Sequence, residues 1–197
     1  MTKNIVAVLL IGSAALFARA ADDRGADAGG GPAVRPLQIS LYAPVQCVGA
    51  SNAVHGLKLN LFFGVNEEVR GIDLGLFSHV RTDFSGFSLN LSGMVGGNIS
   101  GIQAGLVTWC DGNVGGQQIG VVNYSHGATG GQLGFFNCTE VLTGNQVGVI
   151  NHADSASGLQ IGVINFANKL SGLQIGLLNI AAEKQKWSVL PIVNANW

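Results

Sequence analysis

Gly172-Leu-Gln-Ile-Gly-Leu-Leu-Asn179 and its near copy Gly158-Leu-Gln-Ile-Gly-Val-Ile-Asn165 are the stretches that decide the fold. Weaker copies precede them, and every copy opens with a glycine. The opening glycines are Gly56, Gly71, Gly86, Gly101, Gly116, Gly130, Gly144, Gly158 and Gly172. Four intervals of 15 residues are followed by four of 14. A period this regular predicts a stack of one repeated unit.

Within each copy, counted from its opening glycine, apolar residues recur at alternate places. The fourth place holds Leu59, Leu74, Leu89, Ala104, Ile119, Leu133, Val147, Ile161 and Ile175, and the sixth holds Leu61, Leu76, Leu91, Leu106, Val121, Phe135, Val149, Val163 and Leu177. A spacing of two predicts a β-strand with one buried face, which we expect these apolar residues to form. Glycines at the fifth place weaken a helical interpretation further.

The intervening places are polar or small. Glutamine fills the third place from Gln103 to Gln174, and asparagine fills the eighth from Asn123 to Asn179. Another apolar residue stands two places before each following glycine, as Leu142 and Leu170 do. This last column is out of phase with the strand, so a bend is expected between them.

Two all-β architectures fit such strands. In a β-solenoid each copy is one coil, and parallel in-register stacking places glutamine over glutamine and asparagine over asparagine. In an antiparallel outer-membrane β-barrel each copy is a strand plus a turn, and the natural period is the hairpin of two copies. No difference between odd and even copies is seen. The sequence therefore favours a β-solenoid of about nine coils, roughly 43 Å long.

Three features keep the barrel as the alternative. The chain ends on Trp197 with apolar residues at alternate places before it, strands of this length suit an outer membrane, and the seventh place is apolar as well. Adding residues 36–44 and 187–197 to the nine copies gives eleven strands, however, and a closed antiparallel sheet favours an even number.

The first residues predict export. Lys3, the apolar run Ile5 to Phe17 and Ala18-Arg19-Ala20 have the order of a secretory signal peptide, with cleavage after Ala20. Residues 21–35 are small and polar and are expected to form a flexible leader. Residues 36–197 then form a single repeat domain. It comprises an N-terminal cap (36–55), the repeats (56–185) and a C-terminal cap (186–197).

The charge composition argues against nucleic-acid binding. Charged residues are 11% of the chain, and no Lys or Arg occurs between Thr82 and Asn168. Such a surface cannot neutralise phosphates, so no nucleic-acid partner is expected.

The ninth place is the most varied column and holds the few candidates for chemistry. Its members include Trp109, Tyr124, Cys138, His152 and Phe166. Adjacent coils would bring Cys138 and His152 about 4.8 Å apart, but a metal site needs further ligands, and none is evident. The aromatic members could stack on sugars, although a partly buried corner is the simpler interpretation. No metal, cofactor or catalytic residue is assigned.

Cysteines and carboxylates give no stronger signal. Cys47, Cys110 and Cys138 make an odd number, and Cys110 and Cys138 lie two coils apart, too far for a disulfide. The acidic residues Asp73, Asp83, Asp111, Glu140 and Asp154 are few and spread along the chain. No nucleophile, phosphate-binding or zinc-protease motif occurs either. An enzyme is not expected.

The repeats, the opening Pro36-Leu-Gln-Ile-Ser-Leu41 and the ending Pro191-Ile-Val-Asn-Ala-Asn-Trp197 resemble those of a family of exported surface-repeat proteins of Gram-negative bacteria. The resemblance spans residues 36–197. The chain departs from it by ending in Trp where Phe is usual, and by Lys58 and Asp73 at the glutamine place. It implies a periplasmic, outer-membrane or cell-surface location and carries over no catalytic residues.

We therefore expect an exported envelope or surface repeat protein with a structural or interaction role. Its partner would be an unidentified protein or envelope component, and association with the outer membrane is left open. The alternative function is a pore or anchor built as a barrel.

Overall fold

The computed structural model describes residues 33–42, 45–184 and 188–196. The predicted signal peptide, residues 1–20, and the predicted leader up to residue 32 lie outside the described residues. The leader is predicted to extend to residue 35, but Val34 and Arg35 belong to the first strand. All regular secondary structure within the described ranges is β. The strands are β1 (Val34–Tyr42), β2 (Val45–Gln46), β3 (Ala53–Asn66), β4 (Val69–Val80), β5 (Phe84–Val95), β6 (Ile99–Val114), β7 (Gln117–Ala128), β8 (Gly131–Leu142), β9 (Asn145–Ala156), β10 (Leu159–Leu170), β11 (Leu173–Ala181) and β12 (Val189–Ala195).

The strands form a β-solenoid, as the period predicts. They belong to one sheet of twelve in the order β12 to β3 followed by β1 and β2, and the nine strands from β3 to β11 all run parallel to one another. Like lies over like: Gln132 is in register with Gln118, and Asn137 with Asn123. The antiparallel barrel is therefore wrong for this chain, since consecutive copies run in the same direction.

The change of period from 15 to 14 residues has a local cause. In β6 two residues, Asp111 and Gly112, separate Cys110 from Asn113, whereas in β7 the single residue His126 occupies the corresponding interval. A bulge in β6 thus absorbs the extra residue. The register on both sides of it is kept.

Antiparallel strands close both ends of the stack. β12 pairs with β11, and the short β2 pairs with β1. At the C-terminal end, Asn194 Nδ2 donates to Gln174 Oε1 at 3.3 Å, and Lys184 Nζ donates to Asn194 Oδ1 at 2.8 Å. β12 is 7 residues long and lies within the segment predicted as the C-terminal cap (186–197), whereas β2, within the predicted N-terminal cap (36–55), is only 2 residues long.

The buried face is the opposite of the predicted one. The alternating apolar residues of the fourth and sixth places point outward, with Leu133 48% and Val163 42% exposed, whereas Gln132 is 1% and Asn165 0% exposed. Period-two alternation marks two faces without saying which is buried. The amides can be buried here because each has a copy of itself in the coils above and below to bond with.

The apolar part of the core lies on the other side of the coil. It is formed by the residues that stand two places before each following glycine, such as Ile99, Val114 and Leu142, and by small residues of the tenth place such as Ala153 and Ala167. The out-of-phase column that predicted a bend is therefore inside. Within the described ranges, no helix is long and apolar enough to cross a membrane.

Candidate interaction surface

The buried glutamines form one continuous hydrogen-bonded ladder. Gln132 Nε2 donates to Gln118 Oε1 at 2.9 Å, and Gln146 Nε2 donates to Gln132 Oε1 at 2.8 Å. The second N–H of Gln146 reaches the backbone carbonyl of His152 at 3.1 Å. The same pair of bonds recurs at Gln118, Gln160 and Gln174. Both donors of each amide are thus used, so that burying it leaves no donor unpaired.

The asparagines form a second ladder that runs the other way. Asn137 Nδ2 donates to Asn151 Oδ1, one coil later, at 2.8 Å, whereas each glutamine donates to the coil before. Its other N–H reaches the carbonyl of Val147 at 3.0 Å. Thr108 begins this ladder by donating its hydroxyl to Asn123 Oδ1 at 2.6 Å. The amide dipoles of the two ladders point in opposite directions, so the summed dipole of one ladder opposes that of the other.

Glycine at the fifth place makes room for the asparagine ladder. A Cβ built on Gly134 would lie 2.1 Å from the carbonyl oxygen of Gly120 and 2.5 Å from Asn123 Nδ2. The backbone of this place therefore forms a floor without side chains. On the outside of the coil the same glycines separate the apolar columns of the fourth and sixth places.

Those columns form an outer apolar face. We define this face as the second, fourth, sixth and seventh places of β3–β11, which are apolar except at Ser92, Gln117, Gly131 and Asn145. Leu37, Ile39 and Val193 continue it onto β1 and β12. Its fourth-place column has eleven members from end to end. They are Ile39, Leu59, Leu74, Leu89, Ala104, Ile119, Leu133, Val147, Ile161, Ile175 and Val193.

The outer apolar face is large and uncharged. Strand spacings of about 4.8 Å and rises of about 3.3 Å per residue give it roughly 48 Å by 17 Å, on the order of 800 Å². No residue of its columns carries a formal charge. A contiguous apolar patch beyond a few hundred Å² is rare on a monomer that functions alone and marks an interaction site.

A shallow groove runs along the middle of this face. Its walls are fourth- and sixth-place residues of coils two to six, including Leu89, Leu106 and Leu133, and its floor includes Gly105 and Gly120. The volume is about 670 Å³. Ala104 widens it, because its neighbours in the column are Leu89 and Ile119.

The ninth-place column is a strip of stacked side chains. The ring centroids of Trp109 and Tyr124 are 3.9 Å apart, and those of His152 and Phe166 are 5.1 Å apart. In each pair, one ring face is covered by the partner ring. Stacking on sugars, which needs free faces, gains no support from this packing.

Cys138 and His152 are neighbours, as the register predicts. Cys138 Sγ lies 3.7 Å from His152 Nδ1, and burial raises the pKa of the Cys138 thiol to about 11. Burial also lowers the pKa of His152, with Asp154 acting in the opposite direction. No group of three or more His, Cys, Asp or Glu residues able to hold a metal occurs among the described residues.

The other cysteines are thiols too. Cys110 is buried and Cys47 exposed, and neither forms a disulfide. Burial raises the pKa of Cys110 to about 12. The prediction that Cys110 and Cys138 are not bonded to each other is confirmed.

Carboxylates beside the aromatic strip are held by neighbouring side chains. Asp111 accepts a hydrogen bond of 2.7 Å from Trp109 Nε1, and Glu140 lies 3.1 Å from His126 Nδ1. Asp154 accepts one of 2.9 Å from Asn168. Burial, then the nearby Glu140, raises the pKa of Tyr124 to about 12. The His126–Glu140 and Asn168–Asp154 contacts bridge successive coils and so add to the stacking, whereas Asp111 and Trp109 lie in one coil.

Lys58 and Asp73 replace glutamine in the first two coils and form a buried ion pair. Their charged atoms are 3.8 Å apart, with exposures of 0% and 1%. Lys58 also donates to Ser78 Oγ at 2.9 Å, and Ser78 donates in turn to Asp73. Burial lowers the pKa of Lys58, while the carboxylate of Asp73 opposes this. The glutamine register could have revealed this pair, since opposite charges stand at the same place in successive copies.

Comparisons with protein-family models, with curated proteins and with solved structures found nothing that matches this chain.

Proposed function

We propose that this protein is an exported repeat protein of the cell envelope or cell surface, with a structural or interaction role and no catalytic activity. The observation that carries the proposal is the outer apolar face. The coil buries its amides and presents an uncharged sheet to the outside along its whole length.

Exposing this much apolar surface costs free energy in water, at roughly 25 cal/mol for each Å² that a partner could cover. A chain that needed only to fold could have placed polar residues outside and leucines inside. The arrangement is useful when the face is covered by something else, and it therefore supports an interaction role.

Export is supported by the order of Lys3, the apolar run from Ile5 to Phe17, and Ala18-Arg19-Ala20. An envelope location is supported by the resemblance of the repeats and the chain end to exported surface-repeat proteins. The pore that was the alternative function depended on the barrel and is not proposed.

Fractionation of cells expressing the full-length chain tests the proposal. The expected result is a product that starts at Ala21 by intact mass and is recovered in the periplasmic, outer-membrane or surface fraction. A chain that keeps residues 1–20 and stays in the cytoplasm would contradict export. Activity assays on envelope substrates such as glycans and peptides should give no turnover.

A further inference from the structure

We propose that the outer apolar face is covered by a second copy of this chain, packed face to face with the two stacks running in opposite directions. This rests on the proposed interaction role of the face and names its partner.

The size of the outer apolar face suits a stable dimer. On the order of 800 Å² per partner is what a standard protein–protein interface buries, and the face reaches that footprint along its eleven rungs. Partial covering by a small ligand in the groove would leave most of Leu61, Phe135 and Leu177 exposed, and these are now 60%, 48% and 73% exposed.

The charge pattern favours another apolar protein surface over a lipid surface. Proteins that lie on anionic membranes flank their apolar residues with Lys and Arg. Here the columns of the face are uncharged, and no Lys or Arg occurs between Thr82 and Asn168. Homodimer interfaces, in contrast, are depleted of charge at their centre.

The spacing of the face fits a copy of itself. Its ridges repeat once per coil, about 4.8 Å apart, so that a partner in contact along the whole length needs the same spacing. A second copy of this chain has the same spacing because it consists of the same coils. Two such sheets pack with their backbones about 10 Å apart and their side chains interdigitated.

The antiparallel arrangement follows from the side-chain sizes in the fourth-place column. Ile119 is the sixth of eleven members, so a two-fold axis through the centre places it opposite its own copy. If the stacks run in opposite directions, Ala104, one rung before Ile119, meets Leu133, one rung after it. If they ran in the same direction, Ala104 would meet Ala104 and leave a void, which costs stability.

The mass of the assembly is the first test. The full-length chain is expressed, and the protein is purified from the cell fraction in which it accumulates and measured by sedimentation equilibrium. The expected mass is that of two chains. Ile119→Lys with Leu133→Lys should give one chain with an unchanged circular-dichroism spectrum. Val141→Lys is the matched control, because Val141 is 47% exposed but lies outside the face; this variant should stay dimeric.

Cross-linking tests the arrangement. Facing backbones about 10 Å apart are too distant for a disulfide, so a short bis-maleimide is used as the cross-linker. All cysteine substitutions are made in the Cys47→Ser variant, and that variant alone is the control for background cross-linking. Ile119→Cys should cross-link to itself. Ala104→Cys should cross-link to Leu133→Cys in a mixture and not to itself. Self-linking of Ala104→Cys would overturn the antiparallel arrangement.

A monomeric wild-type protein would overturn the dimer, as would equal dissociation by Val141→Lys. Binding to anionic lipid vesicles distinguishes a failure of the dimer proposal from a failure of the proposed function. A monomer that binds vesicles and loses binding in Ile119→Lys with Leu133→Lys keeps the interaction role but not the second copy. A monomer whose vesicle binding is absent or unchanged by those substitutions contradicts both.

Discussion

Gln146 donates a hydrogen bond of 2.8 Å to Gln132, the residue fourteen positions earlier, inside a core where both side chains are at most 1% exposed. The bond joins two coils through side chains as well as through the backbone. Gln146 also receives a bond of 2.8 Å from Gln160. Each glutamine is therefore a link in a chain rather than a separate contact.

Replacing one glutamine of the ladder should lower the free energy of unfolding. Gln146→Leu keeps much of the volume but removes the partners of Gln132 Oε1, Gln160 Nε2 and the carbonyl of His152. At about 1–3 kcal/mol for each buried group left unpaired, the free energy of unfolding should fall by about 3 kcal/mol or more. Thr143→Leu, at an exposed position nearby, should change it by less than about 0.5 kcal/mol. Urea unfolding measures both, and equal effects would contradict the ladder.

The buried pair Lys58–Asp73 should be replaceable as a pair but not singly. Lys58→Gln leaves the Asp73 carboxylate buried without its cation, and the free energy of unfolding should fall by about 3–5 kcal/mol. Lys58→Gln with Asp73→Gln places two amides in register with each other and with Gln38, and it should restore most of that loss. A double-mutant cycle by urea unfolding gives the coupling. Additive losses would show that the two side chains do not interact.

Two glycine substitutions should differ sharply. Gly134→Ala puts a Cβ 2.1 Å from the carbonyl oxygen of Gly120 and should lower the free energy of unfolding by about 1–3 kcal/mol. Gly115→Ala meets its nearest heavy atom, the carbonyl oxygen of Ile99, at 3.5 Å, an ordinary contact, and should be neutral or slightly stabilising. Thermal unfolding of the two variants compares them directly. A similar shift in both melting temperatures would contradict the close packing of the fifth place.

His152 should make stability depend on pH. Burial lowers its pKa, so between the folded pKa and the unfolded value of about 6.5 the unfolded chain binds more protons. Stability therefore rises with pH through this window and is lost as pH falls below about 6.5. His152→Phe, which copies Phe166 one coil later, should flatten that part of the curve. Urea midpoints of both proteins between pH 5 and pH 8 give the comparison, and parallel curves would contradict the assignment.

Much of the fold could be predicted because the same residue types recur at the same places in successive copies. The opening glycines gave the coil length, and the glutamine and asparagine places gave a parallel register that the pairs Gln118–Gln132 and Asn123–Asn137 confirm. The absence of a hairpin period separated the solenoid from the barrel. The expectation of terminal caps followed from the need to cover sheet edges.

The side of the sheet that is buried could not be predicted from the same pattern. Leu133 and Gln132 alternate along one strand, and hydrophobicity alone places the leucine inside. The ladder reverses this, because a stack of identical amides satisfies its own hydrogen bonds and burial then carries little penalty. The outer apolar face was missed for this reason. Lys58 and Asp73 were seen only as departures from the glutamine column, although their shared place in successive copies indicates a direct pair.

Hydrogen exchange of the side-chain amides, followed by NMR in ¹⁵N-labelled protein, tests the central claim most directly. The account predicts that the amide protons of Gln132, Gln146 and Asn151 exchange slowly and show cross-peaks to the next member of their ladder. Those of Asn98, which is exposed and donates to Asp83 Oδ1 at 3.2 Å, should exchange much faster. If the ladder amides exchanged as fast as those of Asn98, the polar core and the outward apolar face would both be contradicted.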